Sequence, residues 1–324
     1  MGSGDFGCRM IRMPCNLIAI AFALLALGRA SAVDTASAAQ ARDAARTRVT
    51  VVDDFGRRVT VRYPPRRIVS LAPGPTAMLV AAGAASQLVA TIEYSGEPAS
   101  EKRLSSVGTA GAIDMERLIA ARPDVVVVWP DGNNPVQIAN IERLGLPVYR
   151  QEALTLGGIG ESLRRLGRLA GTSTVADRAA NVLEEKLASL RREYGNVKRP
   201  PTVLLEVWNR PLYTVGGREL MSDALRVCGT RNVFADLPQR APAIGIGAVI
   251  ARDPDIIIAA APPGRGRAWL AEWKRFPFLR AVRTGRLLAF EDQRFSGLGP
   301  GIVDATGSLC RKIAALGAGP GGYR

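Results

Sequence analysis

Sliding the chain along itself by 131 positions lays IDMERLIAARPDVVVVWP, starting at Ile113, over IGIGAVIARDPDIIIAAAP, starting at Ile244. Ile113 falls on Ile244, Ile119 on Ile250, Ala120 on Ala251, Pro123 on Pro254 and Asp124 on Asp255. A unit that occurs once in each half of a chain implies two similar lobes. In the first copy Met115, Leu118, Ile119 and Ala121 have the spacing of one buried helical face, and Asp114 stands where an N-cap accepts the free amides of the first turn. Pro123 ends that helix, and the run VVVVW lacks polar alternation, the pattern of a strand buried on both faces. The repeat therefore predicts an α/β fold of two lobes, each with a central, mainly parallel sheet flanked by helices.

A chain of 324 residues with 47% apolar content can fill two such cores. The longest helical pattern, Ser173 to Tyr194 with Gly195 as its stop, lies between the two copies and reads as a backbone helix joining the lobes; a packed core helix is the other reading. The expected layout is a first lobe over 49–172, the connecting helix over 173–195, a second lobe over 196–316 and a flexible tail over 317–324. Ahead of it, Arg9 and Arg12, the apolar run Asn16 to Gly28 and the small residues Ala30-Ser31-Ala32 have the order of a cleavable signal peptide over 1–32, with an uncleaved anchor as the alternative. Cys8 and Cys15 precede the apolar run, which is the wrong side for a lipid anchor. Residues 33–48 read as a disordered leader. The chain is thus expected in an oxidising, extracytoplasmic compartment, where the two remaining cysteines, Cys228 and Cys310, pair or stay as two buried thiols.

The absence of histidine removes the usual zinc ligand and the usual general base, and with them Ser-His-Asp and Cys-His catalysis. No nucleophile elbow or phosphate loop is present, and the glycines at Gly245 and Gly247 fall in the start of the second repeat helix. No catalytic residue, metal site or resident cofactor is expected, and the chain reads as a non-enzyme. The net charge of +14 is spread along the sequence, and an exported chain without a recognised motif is not expected to meet nucleic acid.

Parallel sheets bind ligands beyond the carboxyl ends of their strands. Those ends nominate Pro73, Tyr94 and Trp129 in the first lobe. Trp208 and Tyr213 are their aromatic counterparts in the second, with Arg240, Asp292 and Arg294 as polar partners. Trp129 and Trp208 also read as core residues closing strands, and Trp269 and Trp273 as helix packing.

DDFGRRVTVRYPPRRIVSLAP, the YS at Tyr94, IDMERLIAARPDVVVVW, ALRVCGTRNVFADLP and ARDPDIII together resemble the type III, helical-backbone periplasmic binding proteins of ABC importers. The likeness runs from about Val49 to Leu316 and is greatest to cobalamin receptors. It implies a receptor that captures a corrinoid, a metal chelate such as cobalamin, between its lobes and delivers it as a monomer to an inner-membrane permease. A ferric siderophore or haem is the alternative ligand. The resemblance further implies a disulfide between Cys228 and Cys310, and ligand contacts at Ala110 and Ala241, where cobalamin receptors tend to carry tryptophans. It also implies permease docking through Glu116, whose repeat counterpart here is Gly247. Two competing readings are an exported enzyme acting on an anionic substrate through Asp292 and Glu291, and a receptor-like sensor without a ligand.

Overall fold

The computed structural model describes residues 1–2, 48–93, 104–109, 111–297 and 299–317. The chain divides into a leading unit, Met1–Arg48, and a main unit, Val49–Arg324, which holds the fold. The expected signal peptide and leader up to residue 47, apart from Met1 and Gly2, lie outside the described residues, as do Tyr94, Ala110 and the tail from 318 onward. Arg48, assigned to the leader from sequence, opens the first strand.

That strand, β1 (Arg48–Val52), forms a hairpin with β2 (Arg58–Arg62). DDFG builds the turn: the Asp53 carboxylate accepts the amides of Phe55 at 3.0 Å and Arg57 at 2.8 Å. Asp54 points the other way and accepts from the Glu152 amide at 2.9 Å, the Ser162 hydroxyl at 2.5 Å and the Arg165 guanidinium at 3.2 Å, pinning the hairpin to the first lobe. Burial outweighs these bonds and pushes the Asp54 carboxyl up to about 6. A carboxyl whose folded value lies above its unfolded one stabilises the fold while protonated, so this contribution falls as pH rises through 6. Between pH 5 and pH 8 the loss is about 1.4 kcal/mol. Urea unfolding of wild type and Asp54→Asn at both pH values is expected to show a loss larger by about 1.4 kcal/mol in the wild type; equal pH dependence in the two would overturn it.

The first lobe is a parallel sheet of β3 (Ile68–Ser70), β4 (Leu88–Thr91), β5 (Ser105–Ser106), β6 (Val125–Val128) and β7 (Val148–Arg150), in the order β5-β4-β3-β6-β7. Helices α1 (Pro73–Ala81), α2 (Met115–Ala120), α3 (Pro135–Arg143) and α4 (Leu156–Ala170) connect and cover it. The four valines of β6, between β3 and β7, have no exposed surface, as a run without polar alternation predicts. Helix α1 starts at Pro73, because prolines are tolerated in a first turn whose amides have no helical partner.

Helix α5 (Ser173–Tyr194) is 22 residues long, roughly 33 Å at the usual rise per residue. Its buried stripe is Ala176, Ala180, Leu183 and Leu187. It packs so tightly on α4 that a Cβ at Gly167 would collide with Ala176. The second lobe is a parallel sheet of β8 (Thr202–Glu206), β9 (Arg231–Asn232), β10 (Ile256–Ala260) and β11 (Leu287–Phe290), ordered β9-β8-β10-β11. Its helices are α6 (Leu220–Val227), α7 (Ile246–Arg252), α8 (Gly266–Trp273), α9 (Arg280–Arg283), α10 (Gln293–Ser296) and α11 (Ile302–Gly317). A disulfide between Cys228 and Cys310 ties the end of α6 to α11, which settles the choice between a bridge and two thiols.

The repeat holds in three dimensions. Helix α2 and strand β6 of the first copy match α7 and β10 of the second at the offset read from sequence. Each helix runs into a non-glycine residue with positive φ directly before the proline, Arg122 at 44° and Asp253 at 37°. Each aspartate after the proline clamps the start of the neighbouring strand. Asp124 accepts the amides of Arg66 at 2.7 Å and Arg67 at 3.0 Å ahead of β3, and Asp255 accepts the Thr202 amide at 2.8 Å and hydroxyl at 2.9 Å at the start of β8. One detail departs from the periodicity. Ile119 is 49% exposed and its counterpart Ile250 38%, while Leu118 and Val249 are fully buried. Helices of six and seven residues are too short to lay a full stripe on the sheet.

Candidate functional site

Strand β6 leads directly into Trp129, half-buried, and the turn Pro130 to Asn134 holds it. The side chain of Asn133, 3% exposed, accepts the Trp129 amide at 2.8 Å and donates to the Leu71 carbonyl at 2.7 Å, tying the end of β6 to the end of β3. Gly132 lies under the indole, where any Cβ would collide with the ring. Strand β7 continues into Gln151 and Glu152, and the Trp129 indole N–H donates to Glu152 Oε1 at 3.1 Å.

The second lobe reaches the same place through segment 240–244, which lies antiparallel to 212–216. The Gly216 amide donates to the Arg240 carbonyl at 2.9 Å, that of Thr214 to Pro242 at 3.1 Å, and that of Ile244 to Leu212 at 2.9 Å. This pairing delivers Arg240. Its Nε meets Glu219 Oε2 at 2.8 Å, and its Nη1 meets Asp131 Oδ2 at 2.8 Å and also pairs with Glu152 Oε1. One guanidinium of the second lobe thus faces two carboxylates of the first and one of its own. The Glu152 and Glu219 side chains are 5% and 7% exposed, whereas Asp131 is 48% exposed.

Glu219 occupies the N-cap position of α6 without capping it by its side chain, and its Oε1 is buried without a hydrogen-bond partner. Burial, with the negative charge of Asp131 added, pushes the Glu219 carboxyl up to about 7.

The other expected residues fall around this cluster or away from it. Tyr213 bridges to Trp208 and to Ala243, and Ala241 is exposed beside Arg240. Trp208 is 52% exposed, donates to the Arg210 carbonyl at 3.1 Å and meets Trp269 edge-on at 6.2 Å, so it packs on its own lobe. Asp292 caps α10 and pairs with Arg294 at 2.7 Å, a bond that holds its carboxyl below the usual range. Glu291 accepts the amides of Gly264 at 2.9 Å and Gly266 at 2.7 Å. Both carboxylates suggested for an enzyme are therefore engaged in local structure. Pro73 is exposed at the start of α1, and Glu116 and Gly247 are exposed on α2 and α7.

Glu152, Glu219 and Asn133 went unnamed in the sequence. The strand-end rule that selected Trp129 applies equally to Glu152 after β7, and a glutamate directly ahead of a helical run is an uncommon N-cap that could have flagged Glu219. A hollow of about 520 Å³ opens in the second lobe beside Leu212, Ile244, Glu272 and Phe276. Its inner wall carries the buried Glu206, whose carboxylate accepts from Asn209 at 3.0 Å and from the Trp273 indole at 2.9 Å. Among the described residues no group of three or more histidine, cysteine or acidic residues is arranged to hold a metal, and no helix is long and apolar enough to cross a membrane.

A sequence model of the family described as periplasmic binding protein matches residues 68–291. A vitamin B12-binding protein of Vibrio parahaemolyticus is 30% identical over 262 residues, spanning 81% of this chain and 94% of the relative. Another, from Photorhabdus laumondii, is 29% identical over 249 residues, spanning 77% and 88%. The solved periplasmic vitamin B12-binding protein BtuF of Vibrio cholerae superposes with a TM-score of 0.71 at 27% identity, covering 78% of this chain and 98% of that one. A periplasmic haem-binding protein of Roseiflexus, at 21% identity and a TM-score of 0.66, shares the fold.

Proposed function

The chain belongs to the periplasmic binding protein family, and from that premise we propose that it captures a corrinoid of the vitamin B12 type between its lobes and hands it to an ABC importer. Membership in a family of binding proteins removes the reading of an exported enzyme working through Asp292 and Glu291. The observation that carries the proposal is the meeting of groups from both lobes, the strand-end Trp129 and Glu152 from one and Arg240 on segment 240–244 from the other, in a chain that matches BtuF over 98% of the latter's length. The exposed part of the Trp129 indole offers an apolar face to a large flat chelate, while its N–H stays satisfied by Glu152.

On this reading residues 1–32 are removed on export, 49–172 and 196–316 are the two lobes on either side of α5, and Glu116 is a contact to the permease. The ligand contacts expected at Tyr94, Ala110, Tyr213 and Ala241 belong to the same proposal. Titrating the mature protein with cyanocobalamin under tryptophan-fluorescence or calorimetric detection is expected to give saturable one-to-one binding. Trp129→Ala weakens it roughly 10- to 100-fold, the scale of removing a central aromatic anchor. No saturable binding by the wild type sinks the proposal.

A further inference from the structure

We propose that the Arg240 cluster is a ligand-selecting subsite that accepts N–H and O–H donors from a neutral or cationic chelate, such as peripheral carboxamides, and turns away anionic chelates. The proposal rests on the receptor reading above and deepens it by naming the ligand chemistry.

Three carboxylates, Asp131, Glu152 and Glu219, face the single guanidinium of Arg240. The cation is consumed by partners already in the protein: Nε is held by Glu219 and Nη1 by Asp131 and Glu152. The acceptors are not consumed. Glu219 is 6% exposed, its Oε2 is on Arg240, and its Oε1 is buried with no partner. A buried acceptor without a partner costs free energy that an incoming donor recovers. A carboxylate arriving at the same place meets the like charges of Asp131 and Glu152 at short range, which disfavours it. The cluster draws on both lobes, so a donor that reaches it touches the groups that hold the lobes together.

The test compares cyanocobalamin with its monocarboxylate derivatives, in which one peripheral amide is hydrolysed, on wild type, Glu219→Gln and Asp131→Asn. Wild type is expected to prefer the amide form by about tenfold or more for the derivative whose carboxylate meets the cluster. Both variants bring that ratio toward unity. Asp131 is half exposed, so its variant keeps the test open if Glu219→Gln fails to fold. A wild-type ratio within twofold for every derivative, or a ratio unchanged in both folded variants, overturns the proposal. If no corrinoid binds, the receptor reading fails separately, and selectivity is read from cationic ferrioxamine B against anionic ferric citrate. Preference for ferrioxamine B, lost in the variants, upholds the subsite; binding of ferric citrate, or of neither, overturns it.

Discussion

Replacing Cys228 and Cys310 together by serine is expected to lower the unfolding free energy by about 4 kcal/mol. The bridge closes a span of 82 residues and joins the C-cap of α6 to the middle of α11, so in the unfolded chain it forbids a large set of conformations. Both cysteines lie in the core, 6% and 1% exposed, with Cα atoms 4.7 Å apart, a separation normal for a bridge. Serine at both positions avoids the reactive thiol that a single replacement would leave. Urea unfolding of the oxidised wild type and the double variant measures the difference directly, and the reduced wild type should follow the variant. A gap under 1 kcal/mol would show that the second lobe draws its stability from packing alone.

The second large effect belongs to the repeat. Asp255→Ala is expected to cost about 3 kcal/mol, because it takes the acceptor from a buried backbone amide as well as from a hydroxyl and a guanidinium. Asp255 is 8% exposed and accepts from the Thr202 amide at 2.8 Å, the Thr202 hydroxyl at 2.9 Å and Arg280 at 2.8 Å. Although burial alone would raise it, these donors hold its carboxyl below the ordinary value. Its contribution is therefore complete above that ordinary value and disappears as pH falls through the folded one. Asp124, its twin, makes two amide bonds at a more exposed place, so Asp124→Ala is expected to cost about 1 kcal/mol. Equal losses in the two variants, measured by urea unfolding at neutral pH, would contradict the burial argument.

Much of the fold was legible because its signals are local. VVVV bounded by Pro123 and Trp129 reads as a buried strand from composition alone, and the bounds of α5 follow from apolar spacing and Gly195. The strands β5 and β9 and the four-residue helices α9 and α10 carry too few residues for any periodicity, so no pattern announces them.

The site was legible in part. Trp129 stood out because an amphipathic ring ended an apolar run. Asp292 and Arg294 looked equally available, yet two residues apart they satisfy each other. Arg240 was named from its place in the second lobe, but its partners at positions 131, 152 and 219 lie as far as 109 residues away along the chain. Sequence alone determined two lobes and their repeated helix and strand, since those depend on propensities within a short segment; the clamp made by each repeat's aspartate reaches 58 and 53 residues back along the chain and emerged only with the fold. Only the tertiary structure decided which carboxylates gather on Arg240 and which oxygen is left without a partner. The relative placement of two sheets sets those distances, and hydrophobic periodicity carries no record of them.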